Sequence, residues 1–160
     1  MLRTLISIAA VSLAVTALNF PAYGNQTTQL ATVPSLDGSV QYPRSNTRVV
    51  RHTFRVQIPE GSKAISQLKV SVPPGLTVRN DITVHERSGK ELKTNTSVNE
   101  NTVTINFPQP VEPDTTLEID MNRVILLRTS GIWSYRVYAK LVDFEPELNL
   151  GVAQIRGHRP

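Results

Sequence analysis

Three histidines, His52, His85 and His158, and two groups of carboxylates, Glu118 with Asp120 and Asp143 with Glu145 and Glu147, are the side chains whose types and spacing could do chemistry. A metal site needs several ligands converging on one point, usually with at least one pair close in sequence. None of the histidines has such a neighbour. His52 falls on an alternating apolar row with Phe54 and Val56, so it reads as a packed wall residue. His85 falls on the polar side of a stretch that turns Ile82 and Val84 inward, so it reads as an exposed strand residue. A glycosidase needs two carboxylates facing across a cleft. Glu118 and Asp120 instead lie two apart on an alternating stretch, which puts both on its wet side. Asp143, Glu145 and Glu147 offer the oxygen ligands that calcium takes. Pro146 interrupts them and the glycine and aspartate spacing of a calcium loop is missing, so a solvated turn is expected.

The sequence has no cysteine and no Gly-x-Ser-x-Gly elbow, and Ser130-Gly131 reads as a turn. No glycine-rich loop precedes a helix, which excludes the usual phosphate-cradling motifs. The expectation is a protein that is not an enzyme, with no catalytic, cofactor-binding or metal-ligating residues. The surface set of most interest is Tyr138 between Arg136 and Lys140, all on one strand face. An aromatic ring between two cations can stack on a sugar ring or meet an anionic polymer.

The elements that must position these residues are strands. Val50, His52, Phe54, Val56 and Ile58 share one face of a stretch ended by Pro59-Glu60-Gly61. Leu68, Val70 and Val72 form the next row, ended by Pro73-Pro74-Gly75. Proline cannot donate to a ladder, so these prolines mark strand ends. Ser62 to Gln67, between the two rows, is expected to form a short helical turn. Ile82 and Val84 begin a strand that turns at Ser88-Gly89, Thr94 to Val98 is a weaker one, and Val103, Ile105 and Phe107 alternate clearly. Leu117, Ile119 and Met121 follow, then Ile132 to Val142 as the longest candidate, then a short strand over Gly151 to Ile155. Turn chemistry every 8–12 residues and no sustained helical stripe point to an all-β antiparallel β-sandwich of immunoglobulin-like type. Trp133 and Phe54 are its expected core anchors.

Residues 1–24 read as a secretory signal peptide: Arg3, the apolar Leu5 to Leu18, then small residues at Ala22 and Gly24. Residues 25–49 read as a polar, extended lead-in whose later part, around Pro34-Ser35-Leu36, lies across the domain, and 50–160 as the sandwich itself. After the signal no membrane span is expected, since the longest uninterrupted aliphatic run, Val124 to Leu127, is four residues. Without cysteine the core must hold with no disulfide. The net charge is +4, or +3 without Arg3, with the basic residues spread out. Nucleic acid is therefore not the expected partner; behind an export signal the anions at hand are envelope polysaccharides and lipid head groups.

Taken in order, "VPSL", "HTFRVQIPEGSKAISQLKV", "TVTINFPQPVEPDTTLEIDM" and "SYRVYAKLVDFEPELNLGVAQIRGH" resemble a cyanobacterial family of exported proteins that share a domain of unknown function. The resemblance runs from about Pro34 to His158. It implies a periplasmic or extracellular location and brings no active-site residues with it. The function expected is a non-catalytic binding or structural component of the envelope or the secreted fraction, its partner an unknown envelope component such as an anionic polysaccharide. The alternatives are a periplasmic carrier of copper type and a glycan-binding module using Tyr138 and Tyr42. The carrier is disfavoured by Asn25, Gln26 and Thr27 where such carriers place histidine, and by Met121 as the sole methionine after the signal.

Overall fold

The structure is a computed structural model that describes residues 33–45 and 47–157. The expected signal peptide, the start of the lead-in and His158 lie outside these residues. Ten strands follow one another: β1 Ser35–Tyr42, β2 Val49–Ile58, β3 Ile65–Ser71, β4 Leu76–Val78, β5 Ile82–Glu86, β6 Asn95–Asn99, β7 Thr102–Val111, β8 Thr115–Leu126, β9 Ile132–Leu141 and β10 Leu148–Arg156. They form two antiparallel sheets. Sheet A runs β1-β2-β8, and the far side of β8 is shared by β4 and β5. Sheet B runs β10-β9-β3-β7-β6. This is the immunoglobulin-like β-sandwich that the alternation predicts.

The inward rows are the ones read from the sequence. Phe54, Val56 and Ile58 of β2, Leu68 and Val70 of β3, and Ile105 of β7 are all buried, as are Leu117 and Ile119 of β8 and Tyr135 and Val137 of β9. Trp133 is buried too, at the start of β9. The rings of Phe54 and Tyr135 meet edge to face across the two sheets, centroids 5.0 Å apart. Such pairs add to the area that each ring buries.

Three features differ from the sequence reading. The later lead-in, read as an extended segment across a sandwich beginning at residue 50, is itself β1, an edge strand hydrogen-bonded to β2 from Ser35↔Gln57 to Tyr42↔Arg51. The expected helical turn at 62–67 does not form: Ile65 and Gln67 already belong to β3, and a bulge between them lets Ile65 turn inward ahead of the Leu68 row. The longest strand is β8, with 12 residues, not β9 with 10. It stays paired throughout because β2 covers one side while β4 and β5 divide the other.

The flank between the sheets is closed by β1 and β10, which lie side by side without a ladder. The Ser39 hydroxyl donates to the Gln154 carbonyl at 3.2 Å. Gly151 sits at a bulge in β10 with a φ of 131°, a conformation that favours glycine. Its N–H donates to Asn149 Oδ1 at 2.9 Å. One end of the sandwich gathers the loops β1–β2, β3–β4, β6–β7 and β8–β9; the other gathers β2–β3, β7–β8, β9–β10 and the connection after β5.

Replacing the fully buried Phe54 by alanine should cost about 3–5 kcal/mol in a urea melt. The neighbouring Arg55→Ala removes only an exposed ion pair with Glu118 and should stay within about 1 kcal/mol. Equal losses at the two positions would contradict the assigned register.

Candidate functional site

His52 answers the question its sequence position raises. It is fully buried in the middle of β2, and both ring nitrogens are engaged. Gln41 Oε1, reached from β1, lies 3.2 Å from Nε2. That oxygen can only accept, so Nε2 carries the proton and Nδ1 is left to accept from the Tyr135 hydroxyl at 2.6 Å. Burial lowers the His52 pKa from its ordinary 6.5 to about 4 and drives that of Tyr135 well above the ordinary tyrosine range. The imidazole is thus neutral and locked between two partners, with Tyr135 edge-on at 5.6 Å and Trp133 at 6.1 Å between centroids. It joins β1, β2 and β9, one hydrogen bond to each neighbour. Its partners could not be read from the sequence, because Gln41 and Tyr135 lie 11 and 83 residues away.

Glu118 and Asp120 behave differently from one another. Glu118 stays partly exposed and pairs with Arg55 at 3.5 Å. Asp120 was expected on the wet side but is only 7% exposed. It sits mid-sheet, with Thr53 of β2 and Thr83 of β5 as its direct neighbours on either side. The Thr53 hydroxyl donates to it at 2.5 Å, and Arg51 Nε lies 3.7 Å away. A central strand flanked on both sides buries even its outward carboxylate, and hydrogen bonding offsets the cost. His85 is half-buried rather than exposed, opposite Glu118 in the β5–β8 ladder and bridged to Glu91.

The acidic turn Asp143, Glu145 and Glu147 is exposed, as read. Lysines hold it: Lys63 donates to the Asp143 carbonyl at 2.8 Å, and Lys69 pairs with Glu147. Among the described residues no group of three histidines or carboxylates is placed to hold a metal ion.

The remaining candidate is the outer face of sheet B. Arg136, Tyr138 and Lys140 point outward from β9, in line with the sequence reading, with the two cations exposed and Tyr138 half-buried. Adjacent outward residues on a strand lie roughly 7 Å apart. Across the sheet, Tyr138 is registered with Lys69 and Asn149, Arg136 with Ser71 and Val152, and Lys140 with Gln67. The same rows continue through Thr102, Thr104 and Asn106 of β7 to Asn99, Ser97 and Asn95 of β6. The five strands of this sheet contain no aspartate or glutamate at all, whereas those of sheet A carry Asp37, Glu86, Glu118 and Asp120. The face therefore offers hydroxyls, amides, a tyrosine ring and cations, and the carboxylate of Glu147, just before β10, reaches it and is paired with Lys69.

Fold and surface together define an immunoglobulin-like β-sandwich with a packed interior and one polar sheet face whose strands contain no acid. The profile of the family described as "Protein of unknown function (DUF2808)" matches residues 27–155, and the chain belongs to that family. No curated protein matches the chain in sequence. Among solved structures it is similar to BslA, a bacterial hydrophobin, with 16% identity, a TM-score of 0.53, and coverage of 79% of this chain and 95% of that one. It is also similar to the full-length major pilin SpaD from Corynebacterium diphtheriae, with 10% identity, a TM-score of 0.54, and coverage of 77% of this chain and 33% of that one. The major pilin subunit of Bacillus cereus gives 14% identity, a TM-score of 0.51, and coverage of 78% and 40%. At these identities the likeness is one of fold.

The His52 geometry makes stability depend on pH. Unfolded, the imidazole takes a proton near pH 6.5; folded, only near 4. The stabilisation is complete above about pH 6.5 and is lost as the pH falls through 4, by about 3 kcal/mol in all. In urea melts His52→Phe should lower stability at pH 7 by about 1–3 kcal/mol, because Gln41 and Tyr135 lose a buried partner. It should also flatten the decline between pH 6.5 and 5. An unchanged slope in the variant would show that His52 does not carry it.

Proposed function

We propose that the chain is an exported, non-catalytic protein of the cyanobacterial cell envelope or secreted fraction, and that it works by binding. Its ligand class is an anionic polysaccharide, held on the outer face of sheet B. The observation that carries this reading is Tyr138 between Arg136 and Lys140 on a sheet whose strands contain no acid, the nearby Glu147 being paired with Lys69. A sugar ring has an apolar face that can lie on an aromatic ring, and hydroxyls that the surrounding serines, threonines and amides can meet. Acid groups on the polymer would be met by Arg136 and Lys140, which make no ion pair among the described residues. The leader-like start of the sequence supports export. The fold neighbours named as pilins and a hydrophobin are compatible with a structural or binding role.

Retention on immobilised alginate, an acidic polysaccharide, tests the reading. Tyr138→Ala should weaken it by about tenfold, the equivalent of ~1.4 kcal/mol. Arg136→Gln with Lys140→Gln should remove most of its salt dependence. The polymer should be recovered at its original chain length. Equal retention by all three forms would take the face out of the account, and shortened polymer would overturn the non-catalytic reading.

A further inference from the structure

The two ends of the sandwich differ in charge. At the end formed by the β7–β8 and β9–β10 loops lie Glu112, Asp114, Asp143, Glu145 and Glu147, and the other loops there carry both signs. The opposite end carries Arg44 and Arg48 in the β1–β2 loop, Arg128 in the β8–β9 loop and Arg156 at the close of β10, against the single acid Glu100. None of these four arginines makes an ion pair among the described residues. Arg44 and Arg156 line one cleft of about 480 Å³ where β1 and β10 diverge.

The same end holds most of the exposed large apolar side chains. Leu127 is 71% exposed, Tyr42 64%, Ile132 59% and Val49 53%. Each is next to an arginine in the chain, across a ladder or in a ring contact. Leu127 precedes Arg128, and Val49 follows Arg48. Ile132 is registered with Arg156 across the β9–β10 ladder. Tyr42 lies under Arg51, whose guanidinium carbon is 5.4 Å from the ring centroid.

Cations alone would suit any polyanion. Apolar groups interleaved with them suit an amphiphile, whose charged head lies above hydrocarbon. We infer that this arginine-ringed apolar end docks on an anionic lipid surface: lipid phosphates meet Arg44 and Arg156 at the cleft, and Leu127, Ile132, Val49 and Tyr42 enter the boundary between head groups and acyl chains. The acidic end then faces away from the surface, and repulsion helps to orient the molecule. Sheet B stands roughly along the surface normal, which leaves its outer face accessible.

The test places a reporter at each end of the full chain. The sequence has no cysteine, so Leu127→Cys or Glu112→Cys each gives one site for an environment-sensitive dye. With vesicles of phosphatidylglycerol and phosphatidylcholine the dye at 127 should shift to the blue and the dye at 112 should not. Pure phosphatidylcholine should give no shift at either. Adding Arg44→Gln and Arg156→Gln should raise the vesicle concentration needed by about fivefold for each arginine. Ile132→Ser with Val49→Ser should weaken docking at high salt most, where charge attraction is screened.

Three results would overturn the inference. One is an equal shift at both dye positions. Another is loss of the shift in inorganic phosphate but not in sodium chloride of equal ionic strength, which would assign the cleft to a small free anion. The third is a concentration-dependent increase in mass by light scattering at low salt with no vesicle response, which would assign the basic end to the acidic end of a second copy. Alginate retention depends on Tyr138 and should survive all the substitutions at this end, so the two proposals can fail separately.

Discussion

The contact on which this sandwich rests is the meeting of Phe54 and Tyr135 between the sheets, with His52 wedged beside them. Strand side chains alternate, so a slip of one residue in β2 would turn Arg51 and Arg55 inward and expose Phe54. The chain has no cysteine, so no disulfide can correct such an error. Register is held instead by shape and by one polar contact set: His52 is matched to Gln41 on one side and Tyr135 on the other. A buried imidazole without both partners would be costly, so the network penalises misplacement of β1 as well as of β2.

With the interior fixed in this way, function falls to the exterior, whose two sheets and two ends differ in charge. The outer face of sheet A carries acids and bases that satisfy one another, with Asp120 held by Thr53 and Arg51, and Glu118 by Arg55. The strands of sheet B contain no acid, and beside Tyr138 the cations Arg136 and Lys140 make no ion pair among the described residues. At the arginine-bearing end four more cations make no ion pair among the described residues and are interleaved with exposed apolar groups. Unsatisfied charge and exposed hydrocarbon are what a molecule retains where something else completes them. The functional reading accordingly falls on the exterior rather than on the buried histidine.

Much of the fold was legible because a half-buried strand writes its orientation into every second residue. The rows from Phe54 to Ile58, from Leu68 to Val72 and from Val103 to Phe107 are buried as read, and Tyr138 faces out between Arg136 and Lys140. The rule failed where local pattern was overruled by neighbours. Asp120 has the alternation of a wet residue, yet flanking strands cover it. The stretch 35–42 has few apolar residues and reads as an extended lead-in rather than a strand of the sandwich, yet an edge strand needs only a partner's backbone. The turn expected at 62–67 gave way to the early start of β3 at a bulge, which no residue type there announces.

The sequence by itself determined which side chains seek the interior, because hydrophobicity with a period of two is a local property that survives in any arrangement of the strands. It also ruled out thiol chemistry and the familiar phosphate-binding motifs. Only the tertiary structure decided which residues share a place. Gln41 and Tyr135 meet at His52, Arg44 and Arg156 meet at one cleft, and a scattered set of arginines becomes the collar of one end. The reason is physical: those meetings depend on which strands pair and where loops cross between sheets, and backbone hydrogen bonding is blind to the side chains it brings together.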